Sequence, residues 1–245
     1  MSRNVEVIND VMPETSTRWR AVAQPVGNAA AVPAERSAAE IEVARLVQRL
    51  FLSAATNEQP KVVAFSAVDR QAGCSWVCAK VAELLATLTQ NLVCIVDGNF
   101  LHPSLHERFG TDASPGLADA MRQAHQIEQF VARTPTNRLW IMPAGSSQVA
   151  STGFVDPSRM RTRLSELREE FDFVLVDAPA MSVSSDAVVL GSLVEGVVLV
   201  IASNTTRRDA ARTAKQVLED AEIPILGAVL NKRTYPIPAA VYRLI

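Results

Sequence analysis

Three short stretches of this 245-residue chain carry side chains suited to handling phosphate. The first runs Phe65-Ser66-Ala67-Val68-Asp69-Arg70-Gln71-Ala72-Gly73-Cys74-Ser75-Trp76. It reads as an apolar strand, a loop and a Gly-X-Ser helix start. The first-turn amides and dipole of a helix favour an anion, so this outline suits a phosphate-binding loop. A working loop of that kind wants glycines that let amides turn inward, a lysine for the β/γ-phosphates, and Ser or Thr for magnesium. Gly73 and Ser75 meet the pattern, while Cys74 stands at the lysine position, Trp76 at the usual threonine and Gln71 at a usual glycine. Taken alone, the stretch is better read as an ordinary strand-to-helix turn. The second stretch, Val93 to Leu105, sets Asp97 at a strand end, where a carboxylate can hold a metal-bound water. The third, Phe171 to Pro179, is an apolar strand ending in Asp177, the usual place of the second magnesium-side carboxylate of a phosphate-loop protein. Either Asp could instead cap the helix that follows it. All three strand ends together, in order and suitably spaced, are far more specific than any one.

Those residues need a scaffold, and the pattern from Lys61 onward supplies one. Apolar segments expected to be strands lie at Val62 to Ala67, Leu92 to Asp97, Leu139 to Met142, Phe173 to Asp177, Val197 to Ala202 and Ile225 to Leu230. Most lack polar alternation, as strands covered on both faces do. Helical stretches lie at Ser75 to Leu88, Pro157 to Glu170 and Arg207 to Asp220. This alternation implies an α/β fold, a doubly wound, mostly parallel sheet with helices on both faces and right-handed crossovers. Ligands bind beyond the carboxyl ends of such strands, where Gly73, Asp97 and Asp177 fall.

A further helix is expected within residues 37–55, capped by Ser37 with Glu40 three residues later. Its Ile41, Ala44, Leu46, Val47, Leu50 and Phe51 share mainly one face, so it should dock on the core. Residues 1–36 hold Pro13, Pro25 and Pro33 and show no period of 2 or 3.6, which reads as a disordered, mobile arm. Residues 37–245 then form one domain, with 231–245 as a C-terminal tail.

Composition narrows the function. Apolar residues at 48% allow a substantial core, and 24 Lys+Arg against 26 Asp+Glu give a net charge of −2. A bulk nucleic-acid binder needs excess positive charge to neutralise phosphates, so nucleic acid is not an expected partner. Cys74, Cys78 and Cys94 suit neither a disulfide framework nor a zinc knuckle, which points to a reducing compartment. The chain has no run near the ~20 apolar residues that span a bilayer, and its start lacks an apolar signal core.

Further elements follow in order: Asp97 through Leu105, Pro115-Gly116-Leu117-Ala118-Asp119, Pro143-Ala144-Gly145, Phe171 to Pro179, Ser185-Asp186-Ala187, Thr206-Arg207-Arg208 and Gly227-Ala228-Val229-Leu230-Asn231. The ordered set resembles the cytoplasmic domain of bacterial tyrosine kinases that partner polysaccharide co-polymerases. These sit among the deviant phosphate-loop ATPases that include cell-division and plasmid-partition ATPases. The resemblance covers about residues 37 to 245. It implies ATP or ADP with magnesium as ligands. It makes Gly73, Cys74 and Ser75 the phosphate-loop positions and Ser75, Asp97 and Asp177 the magnesium and water partners. Asn231 would contact the adenine edge. Glu42 and Arg45 match two members of a Glu-x-x-Arg-x-x-Arg contact between protomers, whose third member is Gln48 here. The implied partner is an inner-membrane polysaccharide co-polymerase, and the implied place is cytoplasmic and peripheral.

The departures from that family bear on activity. The phosphate-loop lysine is Cys74, the second Asp of the Asp-x-Asp element is Asn99, and its arginine is Leu101. The C-terminal tyrosine cluster is reduced to Tyr235 and Tyr242, in a Pro-stiffened tail. A hydrogen bond to a charge contributes roughly 1.5–3 kcal/mol, so loss of the lysine weakens triphosphate binding about 10- to 150-fold. It also removes charge from a transfer whose catalysis is almost entirely positioning and electrostatics. Arg70 lies on the far side of the loop, and Lys80 is about 240° around the helix from Cys74, a poor substitute. Cys74 itself reads either as a small residue in a disused pocket or as a reactive thiolate at a helix N-terminus. The expected function is a degenerate ATPase acting as a regulatory or binding subunit in exopolysaccharide assembly, the alternative an active tyrosine autokinase using Tyr235 or Tyr242.

Overall fold

The computed structural model describes residues 38–52, 59–89, 91–146 and 156–232. Expectations for residues 1–36, the Ser37 cap, Tyr235 and Tyr242 lie outside the described residues. The elements run α1 (Ala38–Phe51), β1 (Val62–Ala67), α2 (Cys74–Leu88), β2 (Val93–Asp97), α3 (Leu105–Phe109), α4 (Leu117–Ala120), β3 (Ala132–Arg133), β4 (Leu139–Met142), α5 (Pro157–Glu170), β5 (Phe173–Asp177), α6 (Asp186–Gly191), β6 (Gly196–Ala202), α7 (Arg208–Asp220) and β7 (Ile225–Asn231). The sheet order is β3-β4-β2-β5-β1-β6-β7. All neighbours are parallel except β3 and β4, a short antiparallel edge that the apolar pattern does not reveal.

Successive strand residues point to opposite faces, and both faces are covered. On one face Ala64, Cys94, Trp140, Val174 and Leu199 pack with Met160 and Leu164 of α5 and Leu218 of α7. On the other, Val63, Phe65, Ile95, Leu175 and Val198 pack with α1 and α2. The sheet is therefore doubly wound, as its unbroken apolar strands imply. Helix α1 docks through Val43, Val47 and Phe51, with Phe51 edge-on to Phe173 at 5.4 Å. Ile41 stays 43% exposed, so the buried stripe is rotated towards Val43 from the expected face. Glu42 and Arg45 lie on the exposed side, paired with each other at 2.6 Å.

The motif turns have structural work of their own. Leu117 and Ala118 amides donate to the Pro143 and Ala144 carbonyls at 2.8 and 2.9 Å. The Asp119 carboxylate accepts from the Gly116 and Ser146 amides at 3.0 and 3.1 Å. Those bonds clamp the 115–119 turn onto the 143–145 turn. Among the described residues no helix is long and apolar enough to cross a membrane.

Candidate functional site

Strand β1 lies between β5 and β6, and its carboxyl end opens into the loop 68–73. The Val68 amide donates to the Val200 carbonyl at 3.1 Å, and the Ser66 hydroxyl donates to the Pro179 carbonyl at 2.7 Å, so the loop starts from a fixed base. Gln71 adopts φ 60, the left-handed conformation expected where a glycine is usual, at a cost of about 1–2 kcal/mol. Gly73, at φ 85, delivers the chain into α2 as its N-cap. A β-carbon at position 73 would fall 2.5 Å from Asn231 Nδ2, so glycine is required for space as well as for backbone angle. Asn231 reaches this loop from the end of β7, two strands away, and donates to the Ala72 carbonyl at 2.8 Å.

The two carboxylates are brought side by side. Asp97 and Asp177 are register partners at the ends of β2 and β5. Asp97 accepts from the Asn99, Ser104 and Leu105 amides at 3.2, 3.0 and 3.1 Å. It thus organises the loop 98–104 and caps α3, the capping role the sequence left open. Burial still pushes its carboxyl up to about 6, against the opposing pull of those three amides. Asp177 differs. It is 1% exposed, and neither of its oxygens accepts a hydrogen bond of ordinary geometry. Burial pushes it up to about 7, the charge of Asp97 adds to this, and the nearby Ser75 hydroxyl and Cys74 thiol ease it back.

Cys74 is buried against Asp177, and burial pushes its thiol well above the ordinary range, with Asp177 and Cys78 adding to the rise. Desolvation and a neighbouring acid favour the neutral thiol and work against the reactive-thiolate reading. Cys78 faces the core, as its place one turn on implies. Lys80 pairs with Glu83 at 2.7 Å and does not serve the loop. Arg70 Nη2 lies 2.7 Å from His102 Nε2, tying the phosphate-type loop to the loop after β2. That contact joins residues 32 apart, and no motif spacing signals it. Trp76, at a helix position facing solvent, is 39% exposed.

The structure thus gathers Gly73, Cys74, Ser75, Asp97, Asp177 and Asn231 around one helix start, while Glu42 and Arg45 lie on the exposed side of α1. Ser75 and Asp177 are hard oxygen donors of the kind magnesium takes, and an unpaired buried carboxylate beside a hydroxyl fits that ion. Among the described residues no three His, Cys, Asp or Glu side chains converge on a metal cage, so magnesium here would need phosphate oxygens and water. Bound there, the ion would neutralise phosphate charge.

No family model matches the chain. It is 26% identical over 178 residues to tyrosine-protein kinase YwqD of Bacillus subtilis, covering 73% of this chain and 75% of that protein. It is 28% identical over 138 residues to the putative tyrosine-protein kinase CapB of Staphylococcus aureus, covering 56% of this chain and 60% of CapB. Among solved structures, the kinase domain of Escherichia coli tyrosine kinase ETK superposes with a TM-score of 0.74 at 22% identity, over 82% of this chain and 79% of that one. The septum site-determining protein MinD of Pyrococcus horikoshii, complexed with Mg-ADP, superposes at 0.62 and 22% identity, over 76% of this chain and 77% of MinD. The homologues of this chain are therefore bacterial tyrosine-protein kinases, and its fold is the P-loop fold shared by kinase domains of that kind and by MinD-like ATPases.

Proposed function

We propose that this chain is a degenerate phosphate-loop protein of the bacterial tyrosine-kinase type, which binds nucleotide weakly and has lost turnover. It acts as a regulatory or binding subunit in exopolysaccharide assembly and export, at the inner face of the membrane beside a polysaccharide co-polymerase. One observation carries this reading: where phosphoryl transfer needs an ammonium group, a buried, neutral Cys74 thiol lies against Asp177. Without that charge the loop keeps amides for holding phosphate but little for stabilising charge that shifts during transfer. Asp177, Ser75 and Gly73 retain the shape of the site, which suits ligand sensing.

Purified chain incubated with MgATP is expected to release no phosphate and to gain no phosphotyrosine. Magnesium-dependent phosphate release that Asp177→Asn abolishes would overturn the reading. A second reading is an active autokinase with Tyr235 or Tyr242 as acceptor, favoured by the kinase names of the relatives. Phosphotyrosine at either residue after incubation with ATP and a membrane partner would select it.

A further inference from the structure

We propose that Lys232 supplies the cation which the phosphate loop lacks, and that the site it completes holds the diphosphate of a nucleoside diphosphate. This rests on the reading above of a chain that binds nucleotide without hydrolysing it. Lys232 follows the last residue of β7 and takes a left-handed turn at φ 55. Its neighbour Asn231 is fixed to the loop through the Ala72 carbonyl at 2.8 Å. The Lys232 Cε lies 3.9 Å from where a β-carbon of residue 73 would stand. The end of its aliphatic stem therefore lies beside Gly73 at the α2 helix start, within reach of an anion bound there.

Two other cations close to the loop are committed. Lys80 is paired with Glu83, and Arg70 meets His102. Lys232 makes no ion pair among the described residues, and it is exposed. The ligand is signalled independently by Asp177, whose two buried oxygens find no hydrogen-bond donor although the carboxyl stands against Ser75 and Cys74. A buried polar group left open in this way marks a missing group, and a magnesium-bearing phosphate is the chemistry that fits a carboxylate, a hydroxyl and helix amides together.

Sheet order explains why such a cation grips without promoting transfer. Asp97 and Asp177 end β2 and β5, on one side of β1, whereas Lys232 follows β7, beyond β6 on the other. The ammonium thus meets phosphate from the side away from the carboxylates. In the usual loop the lysine sits inside the loop, between phosphates and acids. A cation at the outer rim holds an anion in the ground state and adds little where charge migrates during transfer.

Calorimetric titration of the full chain with ADP and with AMP, both with magnesium, tests the assignment on wild type, Lys232→Met and Lys232→Arg. Melting temperatures confirm that each variant is folded. Wild type is expected to bind ADP more tightly than AMP. Lys232→Met should weaken ADP by about 10- to 150-fold, the range for a charge-assisted contact, and narrow the ADP/AMP difference. Lys232→Arg should recover most of the loss. Equal ADP affinity in wild type and Lys232→Met overturns the role of Lys232 and leaves the reading of a nucleotide-binding, non-hydrolysing chain intact, whereas no ADP binding by wild type overturns both. Phosphate release from ATP by wild type, measured in parallel, overturns that reading while the ADP comparison still decides the role of Lys232.

Discussion

Asp177 offers a direct test of the claim that the site holds an unsatisfied charge. The open chain titrates this carboxyl at 3.8, whereas burial in the fold moves it to about 7. Between those values the folded state binds more protons than the unfolded state, so stability falls as pH rises through the window and is level above it. A shift of about 3 units at 1.36 kcal/mol each amounts to about 4 kcal/mol lost by pH 8. Asp177→Asn keeps the shape and removes the charge. At pH 8 and without magnesium the variant should exceed wild type by about 4 kcal/mol, or about 8–16 °C for a domain of this size. Asp97 rises only to about 6, so the variant should still lose stability between pH 4 and 6 and then stay level to pH 8. Wild type should keep falling to about pH 7. Urea unfolding at pH 5, 6.5 and 8 in chelator-treated buffer measures both curves. A variant no more stable than wild type at pH 8 would refute the reasoning, since Asp177 would then carry no desolvation cost.

Two further outcomes follow from the same geometry. Gly73→Ala should lower stability by about 2–3 kcal/mol, from left-handed strain of about 1–2 kcal/mol plus loss of the Asn231 contact with Ala72 at about 1 kcal/mol. Thermal unfolding checks it, and an unchanged melting temperature would show that the loop relaxes freely. Cys74, Cys78 and Cys94 are free and buried, with their thiols pushed upward by burial. All three should resist thiol reagents at pH 7 in the folded chain and react in denaturant, and one fast thiol would refute the burial of the loop.

The scaffold was legible in the sequence where one physical signal dominates. Strands covered on both faces must be apolar throughout, so Val62–Ala67 and Phe173–Asp177 announce themselves, and their carboxyl ends locate Asp177 without coordinates. The missing ammonium is equally a fact of sequence, since a cysteine side chain carries no positive charge in either protonation state. Less was legible where local pattern is short or neutral. The two-residue β3 and the brief helices α3, α4 and α6 hold too few residues for a period to show. The stripe of α1 passed over Val43 because a helix of mixed small and apolar residues allows several neighbouring faces, and only the partner surface chooses.

What the sequence alone determined is the order of chemistry along the chain: a loop without its lysine, then two acids at strand ends, then an asparagine. Tertiary structure decided what each of them touches. It gave Asp97 three amides and Asp177 none, although both are the last residues of apolar strands. It held the Cys74 thiol neutral, and it carried Lys232 across 159 positions of sequence to the edge of Gly73 alongside the Asn231 contact. The reason is that burial and hydrogen-bond supply depend on neighbours brought from distant strands, and local sequence encodes the strands but not the desolvation they impose on one another.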